Sequence, residues 1–311
     1  MDEIAVLLAT YNGGKYLTEL LDSLLKQTYP KLKIYIHDDG SCDETVSVIH
    51  EYQAKYPSMI QVLIYPPTGS SCANFMSMLT YVKESYVMFC DQDDVWLPEK
   101  TEKVFQEMQR IEAENPDRPC LVFSDLYVVD SELKIISDSF MRYADRDPHC
   151  TDYKSLLMQN VAPGCTMILN RELVKQAECC CDATKIGMHD IWVILIAALE
   201  GKVSYVDMPL ICYRQHQGNV VGAQKVTKIK KIVNTLQRIF SGSQGAEKKE
   251  WLNNISVLAD VLNKSLELKN EDKIFLDSLA DIPGRKKTER IKFYFKNGLI
   301  EKKRWWLAFW I

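Results

Sequence analysis

Three carboxylates stand within four positions of one another in the segment FCDQDDVW, residues 89 to 96. They belong to Asp91, Asp93 and Asp94, and they directly follow the apolar run YVMFC. Clustered like charges raise one another's free-energy cost of ionisation unless a cation or abundant water offsets it. This spacing therefore favours a bound divalent metal, and the all-oxygen donor set favours magnesium or manganese over zinc.

A second acidic pair, Asp38 and Asp39, ends the run KIYIHDD. Ligands of an open parallel sheet bind beyond the carboxyl ends of its strands, so we expect all five carboxylates to meet at one rim. A hard cation at such a rim can neutralise the charge that develops on a departing diphosphate. For either acidic turn taken alone, a merely solvated turn remains the alternative interpretation.

The elements that position these residues can be predicted from the hydrophobic periodicity. Strands are predicted at residues 3–10, 61–65, 86–90, 120–130 and 164–170, and residues 33–41 are predicted as a short strand followed by an acidic Gly turn that ends at Ser41. Helices are predicted over the leucines between 17 and 25, over residues 74–82, and over residues 189–201, while Ser41 and Glu44 have the spacing of a capping box. Strands that alternate with helices predict an α/β fold with a mainly parallel sheet covered on both faces.

From about residue 222 the pattern changes to apolar residues at helical spacing, interrupted by the segment SGSQG. We therefore predict a catalytic domain over residues 1–221 and a helical C-terminal region over residues 222–311. Residues 285–304 contain nine Lys or Arg against two Glu, and Trp305, Trp306, Phe309 and Trp310 follow. Basic residues favour anionic headgroups and indole rings settle at the interface, which predicts attachment to a membrane surface; packing of the aromatics on protein is the alternative.

The 311 residues carry a net charge of −4 and include ten cysteines. Because the start MDEIAVLLATYNG has no basic region or small-residue cleavage site, we expect a cytoplasmic protein with reduced thiols. Cys179, Cys180 and Cys181 are adjacent, but no C-x-x-C pair or nearby His completes a zinc site. No run of about 20 apolar residues predicts a membrane span, and we expect no nucleic-acid partner.

The Asp-x-Asp element of FCDQDD occurs in order with four further motifs, namely ATYNG at 9–13, QTYP at 27–30, DDGSCDET at 38–45 and HDIW at 189–192. This ordered set resembles the inverting family 2 glycosyltransferases of the GT-A fold over residues 3 to 220. The details FCDQDDVWLPEK and YRQH are most similar to rhamnosyltransferase-type members that build bacterial surface polysaccharide.

The resemblance implies roles for residues that would bind a nucleotide diphosphate sugar. Thr10, Tyr11 and Asn12 would lie around the nucleotide base, and Asp39 would accept a hydrogen bond from it. Asp91 would lie near the ribose and the metal, Asp93 would be the direct metal ligand, Asp94 would face the donor sugar, and Asn74 would face the diphosphate. For Tyr11, packing against the helix start is the alternative.

An inverting transfer also needs a carboxylate base on the acceptor side, far from the metal. The resemblance implies Asp190 for this role, although an acid in a first helical turn also suits the helix dipole without any catalytic role. It places His189 and Trp192 on the acceptor side, with core packing as the alternative for both. Arg214 would neutralise phosphate and His216 would complete the metal shell, unless this histidine is a solvent-exposed loop residue.

The predicted function is transfer of a sugar to a bacterial surface glycan, and L-rhamnose from dTDP-rhamnose is the best choice of donor. Acceptors of this kind include glycans that are linked to a lipid. A nucleotidyltransferase that makes a nucleotide sugar is a second hypothesis, although ATYNGGKYL supplies only Lys15 for the basic loop it requires. A non-catalytic module that binds nucleotide sugars or glycans is a third. The sequence makes no prediction of oligomeric state.

Overall fold

The computed structural model describes residues 2–179, 182–216 and 244–299. Its nine strands within these ranges are β1 (Ile4–Thr10), β2 (Leu32–Asp38), β3 (Ile60–Val62), β4 (Tyr86–Cys90), β5 (Val95–Trp96), β6 (Cys120–Val129), β7 (Ile135–Ser137), β8 (Met167–Asn170) and β9 (Lys202–Arg214). The helices of the same ranges are α1 (Gly14–Leu25), α2 (Thr45–Lys55), α3 (Ser71–Leu79), α4 (Lys100–Glu114), α5 (Phe140–Tyr143), α6 (Tyr153–Met158), α7 (Arg171–Ala177), α8 (His189–Glu200), α9 (Gln244–Ser265), α10 (Asn270–Ala280) and α11 (Lys287–Lys296).

One sheet carries the site, in the order β3-β2-β1-β4-β8-β6-β9-β5, with β7 paired to β6. The pairs β1–β2, β1–β4, β2–β3 and β6–β9 are parallel. Strands β5, β7 and β8 pair antiparallel with their neighbours, so the α/β fold is confirmed with a mixed sheet. Because β2, β1 and β4 are parallel neighbours, their carboxyl ends open onto one edge.

The core forms where apolar runs and helical faces meet. Residues 4–8 of β1 are fully buried, as central strands covered on both faces require. Leu17, Leu20, Leu21 and Leu24 of α1 are also fully buried, which confirms the predicted helix and its inward stripe. Gly201 ends α8, and a Cβ atom there would lie 1.8 Å from the carbonyl oxygen of Pro119, so only glycine fits.

Two local predictions were wrong. Ser41 and Glu44 do not form a capping box, because α2 begins at Thr45 and the Ser41 hydroxyl bonds to Asp38 and to the N–H of Asn12 instead. Residues 164–170 are a strand only from Met167 onward, since the first three form a 3-10 helix, Gly164–Thr166. At Ser41, the bond to Asn12 in the turn after β1 takes the place of the predicted cap.

Helix α10 of the C-terminal region packs against α6. The Tyr153 hydroxyl donates to Asp272 at 2.7 Å, and its ring meets Phe275 at 5.6 Å between centroids. The predicted domain boundary at residues 221 and 222 lies outside the described residues, as do Cys180, Cys181 and the aromatic residues from Trp305 onward. Within the described part of the chain, no helix has the length and apolar character needed to cross a membrane.

Candidate active site

The turn after β4 holds a buried acidic cluster. The carboxylates of Asp91 and Asp94 and the thiol of Cys165 each offer an atom within 4.8 Å of the others. Burial, together with the charge of Asp93, raises the pKa of Asp91 to about 7 and the pKa of Asp94 well above its usual range. One Asp94 oxygen, Oδ2, has no hydrogen-bond partner among the described residues. A neighbouring cation would stabilise the ionised form of this cluster.

Cys165 is a poor ligand for a hard cation. Burial raises the pKa of its thiol well above the ordinary value, and the nearby Asp94 and Asp91 charges raise it further. The thiol therefore stays protonated and can donate to a carboxylate instead of binding metal as a thiolate. Magnesium and manganese prefer oxygen ligands, so the carboxylates are the donors that fit them.

The predicted pair Asp93 and His216 is brought together at the edge of this cluster. His216 Nε2 lies 2.8 Å from Asp93 Oδ2, and the two side chains are 19% and 14% exposed. The Tyr16 ring lies 4.9 Å from the imidazole between centroids and supports it from one side. The Asp93 carboxylate thus meets an imidazole close to solvent, and this mixed donor set suits manganese better than magnesium, which prefers oxygen ligands.

Arg214 does not occupy the position predicted for a phosphate ligand. Its side chain is only 2% exposed, and its guanidinium donates to the backbone oxygens of Asp93 (2.9 Å) and Ser131 and to the carboxylate of Glu19. Its backbone N–H donates to Asp94 Oδ1 at 3.1 Å. The prediction is corrected, because the N–H groups of the Arg214 guanidinium are already paired with protein acceptors. Arg214 therefore stabilises the acidic turn from its buried side.

Sequence reasoning missed Lys100, the first residue of α4. It is fully buried, its Nζ donates to the Cys165 carbonyl at 2.8 Å, and the ammonium lies 2.9 Å from the centroid of the Trp96 ring. Burial lowers its pKa to about 7, while Asp94 and Asp91 act in the opposite direction. A lysine in a first helical turn opposes the helix dipole, so no local pattern predicts it as a buried counter-charge.

Asp190 lies in the first turn of α8, as predicted. Its Oδ1 accepts the N–H of Ile191 at 2.6 Å, and Gly164 packs beside it, since a Cβ atom on Gly164 would lie 3.5 Å from Asp190 Cβ. Burial raises its pKa to about 6, against the opposing effect of Arg146. The Asp190 charge in turn raises the pKa of Asp91, so the candidate base lies within electrostatic reach of the acidic cluster.

The two other residues predicted on the acceptor side are buried. Trp192 is 0% exposed and its indole N–H donates to the Ala177 carbonyl at 3.1 Å, so it is a core residue and cannot present a face to a sugar. His189 is 4% exposed, packs on Phe75 and Phe89, and has no hydrogen-bond partner on either nitrogen within the described residues. Burial lowers its pKa to about 3, so it is neutral and makes no bond to Asp190.

The short 3-10 helix Gly164–Thr166 joins the two halves of the site. Gly164 packs beside Asp190, while the next residue, Cys165, contributes its thiol to the acidic cluster and its carbonyl to Lys100. A Cβ atom on Gly164 would lie 2.6 Å from His189 Nε2, which leaves no space for a larger residue. Residues 164–166 belong to an apolar run that the periodicity predicts as a strand, so the sequence pattern does not reveal this connection.

The turn after β1 exposes two residues, Tyr11 and Asn12. Thr10 is 2% exposed and its hydroxyl donates to Asp38 Oδ1 at 2.9 Å, so its predicted place beside a nucleotide base is corrected to a strand-end tie. Tyr11 is 58% exposed. Asn12 has a φ of 48°, and its side-chain oxygen accepts the N–H of Cys42 at 2.8 Å. Tyr11 is therefore the residue of this turn that a base could stack on.

The side chains of Asp39 and Asn74 both bond to the loop between β3 and α3. Asp39 accepts bonds from Thr68 and from the N–H of Gly69 at 2.9 Å, which leaves part of its acceptor capacity for a ligand. Asn74 is 1% exposed, and its Oδ1 contacts His37 at 2.8 Å and the hydroxyl of Tyr65 at 3.1 Å. The predicted contact of Asn74 with a diphosphate is corrected, because this side chain is an internal tie below the loop.

Comparisons with solved structures support the fold. Residues 1-349 of TarS from S. aureus, in complex with UDP-GlcNAc, align with a TM-score of 0.55 at 15% identity, over 96% of this chain and 93% of that chain. The mannosyltransferase PcManGT from Pyrobaculum calidifontis, in complex with GDP-Man and Mn2+, aligns with a TM-score of 0.52 at 15% identity, over 90% and 69% of the two chains.

Comparisons of sequence are more specific. The dTDP-rhamnosyl transferase RfbG of Shigella flexneri is 29% identical over 239 residues, which span 72% of this chain and 76% of RfbG. The glycosyl transferase family 2 model matches residues 5–125, the segment that contains the turns after β1, β2 and β4. With these turns arranged around one edge of a GT-A sheet, the chain is similar to glycosyltransferases of family 2 in both sequence and fold.

Proposed function

We propose that this glycosyltransferase moves L-rhamnose from dTDP-rhamnose to a hydroxyl group of a bacterial cell-surface glycan, such as an O-antigen, capsule or cell-wall polysaccharide. The choice of donor is supported by the similarity to the dTDP-rhamnosyl transferase RfbG, which aligns over 72% of this chain and 76% of its own. The catalytic part of the proposal depends on one observation, the half-buried Asp190 carboxylate beside Gly164, the residue that precedes Cys165 of the acidic cluster.

Asp190 acts as the base in this proposal. The acceptor oxygen attacks the anomeric carbon, the bond between that carbon and the diphosphate oxygen breaks, and the hydroxyl proton passes to Asp190. A carboxyl group whose pKa is about 6 is ionised at neutral pH, yet it is basic enough to accept a proton as the new bond forms. Arg146 and the N–H group of Ile191 keep its ionised form accessible despite its burial.

Asp91, Asp93 and His216 would hold the divalent cation. Their two carboxylates fit magnesium or manganese, the imidazole fits manganese better, and a bound cation would relieve the repulsion that raises the pKa of Asp91. Such a cation, when bound, neutralises charge on the departing diphosphate. On the nucleotide side, Tyr11 would stack on the base and Asp39 would accept its N–H, with Asp94 toward the donor sugar.

Nucleotide binding and turnover test this proposal. Thermal shifts with dTDP, UDP and GDP, each with and without manganese, should show metal-dependent stabilisation that is largest for dTDP. Asp190→Asn should keep this shift and lower the rate of rhamnosyl transfer by about 10²- to 10⁴-fold, the typical contribution of a general base. Unchanged turnover would reject the base, and nucleotide binding without turnover in the wild type would favour the non-catalytic module.

We also propose that the C-terminal region attaches the enzyme peripherally to the inner face of the cell membrane, where a lipid-linked acceptor is available. Helix α11 exposes Lys287, Lys292 and Lys296 together with Phe295, which is 40% exposed. The adjacent Tyr294 is fully buried, so aromatic residues of this helix serve both protein packing and the exposed face. A basic face that surrounds an exposed aromatic ring suits an anionic bilayer.

Vesicle flotation tests the membrane proposal with the full chain. Wild-type protein should float with phosphatidylglycerol vesicles and not with phosphatidylcholine vesicles. Reversal to Glu at Lys287, Lys292 and Lys296 should remove this flotation, whereas the matched reversal of three exposed lysines of the catalytic domain, Lys31, Lys55 and Lys83, should not. Equal flotation of both triple variants would contradict a specific role of α11.

A further inference from the structure

The side chain of Gln92, between the two acids of the Asp-x-Asp element, is bonded to the turn after β1. Its Oε1 accepts the backbone N–H of Tyr11 at 2.8 Å, and its Nε2 donates to the backbone carbonyl of Tyr11 at 3.0 Å. The amide thus satisfies both backbone polar groups of one residue that lies 81 positions earlier in the chain. Two simultaneous hydrogen bonds fix the direction of the contact as well as its length.

Gly13 provides the space for this contact. A Cβ atom at this position would lie 2.1 Å from Gln92 Oε1 and 2.3 Å from its Cδ. The backbone of Gly13 has a φ of −107°, which any residue can adopt, so the glycine is required by the close approach of the amide. An alanine here would displace the Gln92 side chain without straining the backbone.

Other side chains hold the far side of the same turn. The N–H of Asn12 donates to the Ser41 hydroxyl at 2.8 Å, and the N–H of Gly13 donates to the Thr45 hydroxyl at 2.9 Å. These bonds attach the turn to the segment after β2. The Gln92 amide attaches it to the segment after β4, which carries Asp91 and Asp93.

We infer that Gln92 is a positioning residue that sets the distance between the base-binding face of Tyr11 and the diphosphate end of the donor site. This inference rests on the proposed function, because it takes Tyr11 as the residue that stacks on the base. The exposed Tyr11 ring has its backbone fixed by the same short segment that supplies the acidic ligands. Loss of the amide should therefore weaken recognition of the nucleoside more than recognition of the diphosphate.

Gln92→Met keeps the length of the side chain and removes both hydrogen bonds. We expect it to weaken binding of dTDP in the presence of manganese about tenfold, as the loss of roughly two ordinary hydrogen bonds implies. Binding of inorganic pyrophosphate with manganese should stay within about twofold of wild type, since this probe has no base and reports only on the diphosphate end. The kcat at saturating donor should fall far less than the affinity. Gln92→Glu, which keeps an acceptor for the Tyr11 N–H, should retain part of the affinity.

Gly13→Ala tests the same contact from the opposite side. It should weaken dTDP binding by a similar factor, and the double variant with Gln92→Met should be no weaker than either single variant, because both remove one contact. This second variant decides the question if Gln92→Met does not fold.

Three results would overturn the inference. The first is unchanged dTDP affinity in both single variants, and the second is an equal loss for pyrophosphate and dTDP. The third is full additivity in the double variant. A wild-type protein that binds none of dTDP, UDP and GDP would instead refute the proposed function, and the inference with it.

Discussion

Acidification should slow sugar transfer in proportion to the protonation of Asp190. Burial raises the pKa of this carboxyl group to about 6, so it is ionised above that pH and protonated below it. Between about pH 7 and about pH 5 the ionised fraction falls from roughly nine-tenths to roughly one-tenth, and the rate should fall about tenfold with it. The sign follows because only the ionised form can accept the proton of the acceptor hydroxyl.

The assay is initial-rate transfer at saturating donor, acceptor and manganese across this pH range. Saturating metal keeps Asp91 ionised, so its own titration does not contribute to the profile. Asp138→Asn is the matched control, since Asp138 is exposed and paired with Arg142 at 2.8 Å. A flat wild-type profile between about pH 5 and pH 7, or a residual rate in Asp190→Asn with the same pH dependence, would refute the assignment.

Three further outcomes are expected. Arg214→Met should lower the free energy of unfolding in urea by roughly 2–4 kcal/mol, because it leaves buried carbonyls unpaired, and it should weaken manganese binding; a stable variant with normal metal affinity would contradict its role behind the acidic turn. Trp192→Phe should lower the free energy of unfolding by roughly 1–3 kcal/mol, because the Ala177 carbonyl loses its hydrogen-bond donor, and it should leave the acceptor KM unchanged. A raised acceptor KM would show that Trp192 does contact the acceptor. Chelation should abolish transfer and manganese should restore it, except in Asp93→Ala, and transfer that survives chelation would exclude the metal.

The parts of the site that follow from local patterns were predictable from the sequence. Apolar runs with acidic ends correctly predicted strands β2 and β4. The long apolar stretch after Asp190 correctly predicted that this residue lies at the start of a helix, α8. These signals need only a few neighbouring residues, because strand burial and helix capping act over one or two turns.

The destinations of long polar side chains were not predictable. Arg214 and Asn74 have the chemistry of phosphate ligands, yet the tertiary fold pairs the polar groups of each side chain with other groups of the protein. Lys100 shows the reverse case, since a lysine in a charged helix start is buried beside the acidic cluster. Periodicity does not specify which distant carbonyl or carboxylate will meet a flexible side chain.

Strand direction was also beyond the sequence pattern. The apolar run that becomes β8 reads like any buried strand, and nothing in it states that it pairs antiparallel with both β4 and β6. That reversal places the preceding residues, Gly164 and Cys165, at the same edge as the acidic turn. The connection between base and acidic cluster is therefore a product of topology.

The bond from the Arg214 backbone to Asp94 spans 120 residues. A fragment limited to residues 5–125 would contain every acid of the DQDD turn but neither Arg214 nor Asp190. Closing so long a loop is entropically costly and is repaid only when β9 joins the sheet. A shortened enzyme built for engineering should therefore keep the chain through at least His216, and during synthesis the proposed metal site should be complete only after β9 has emerged.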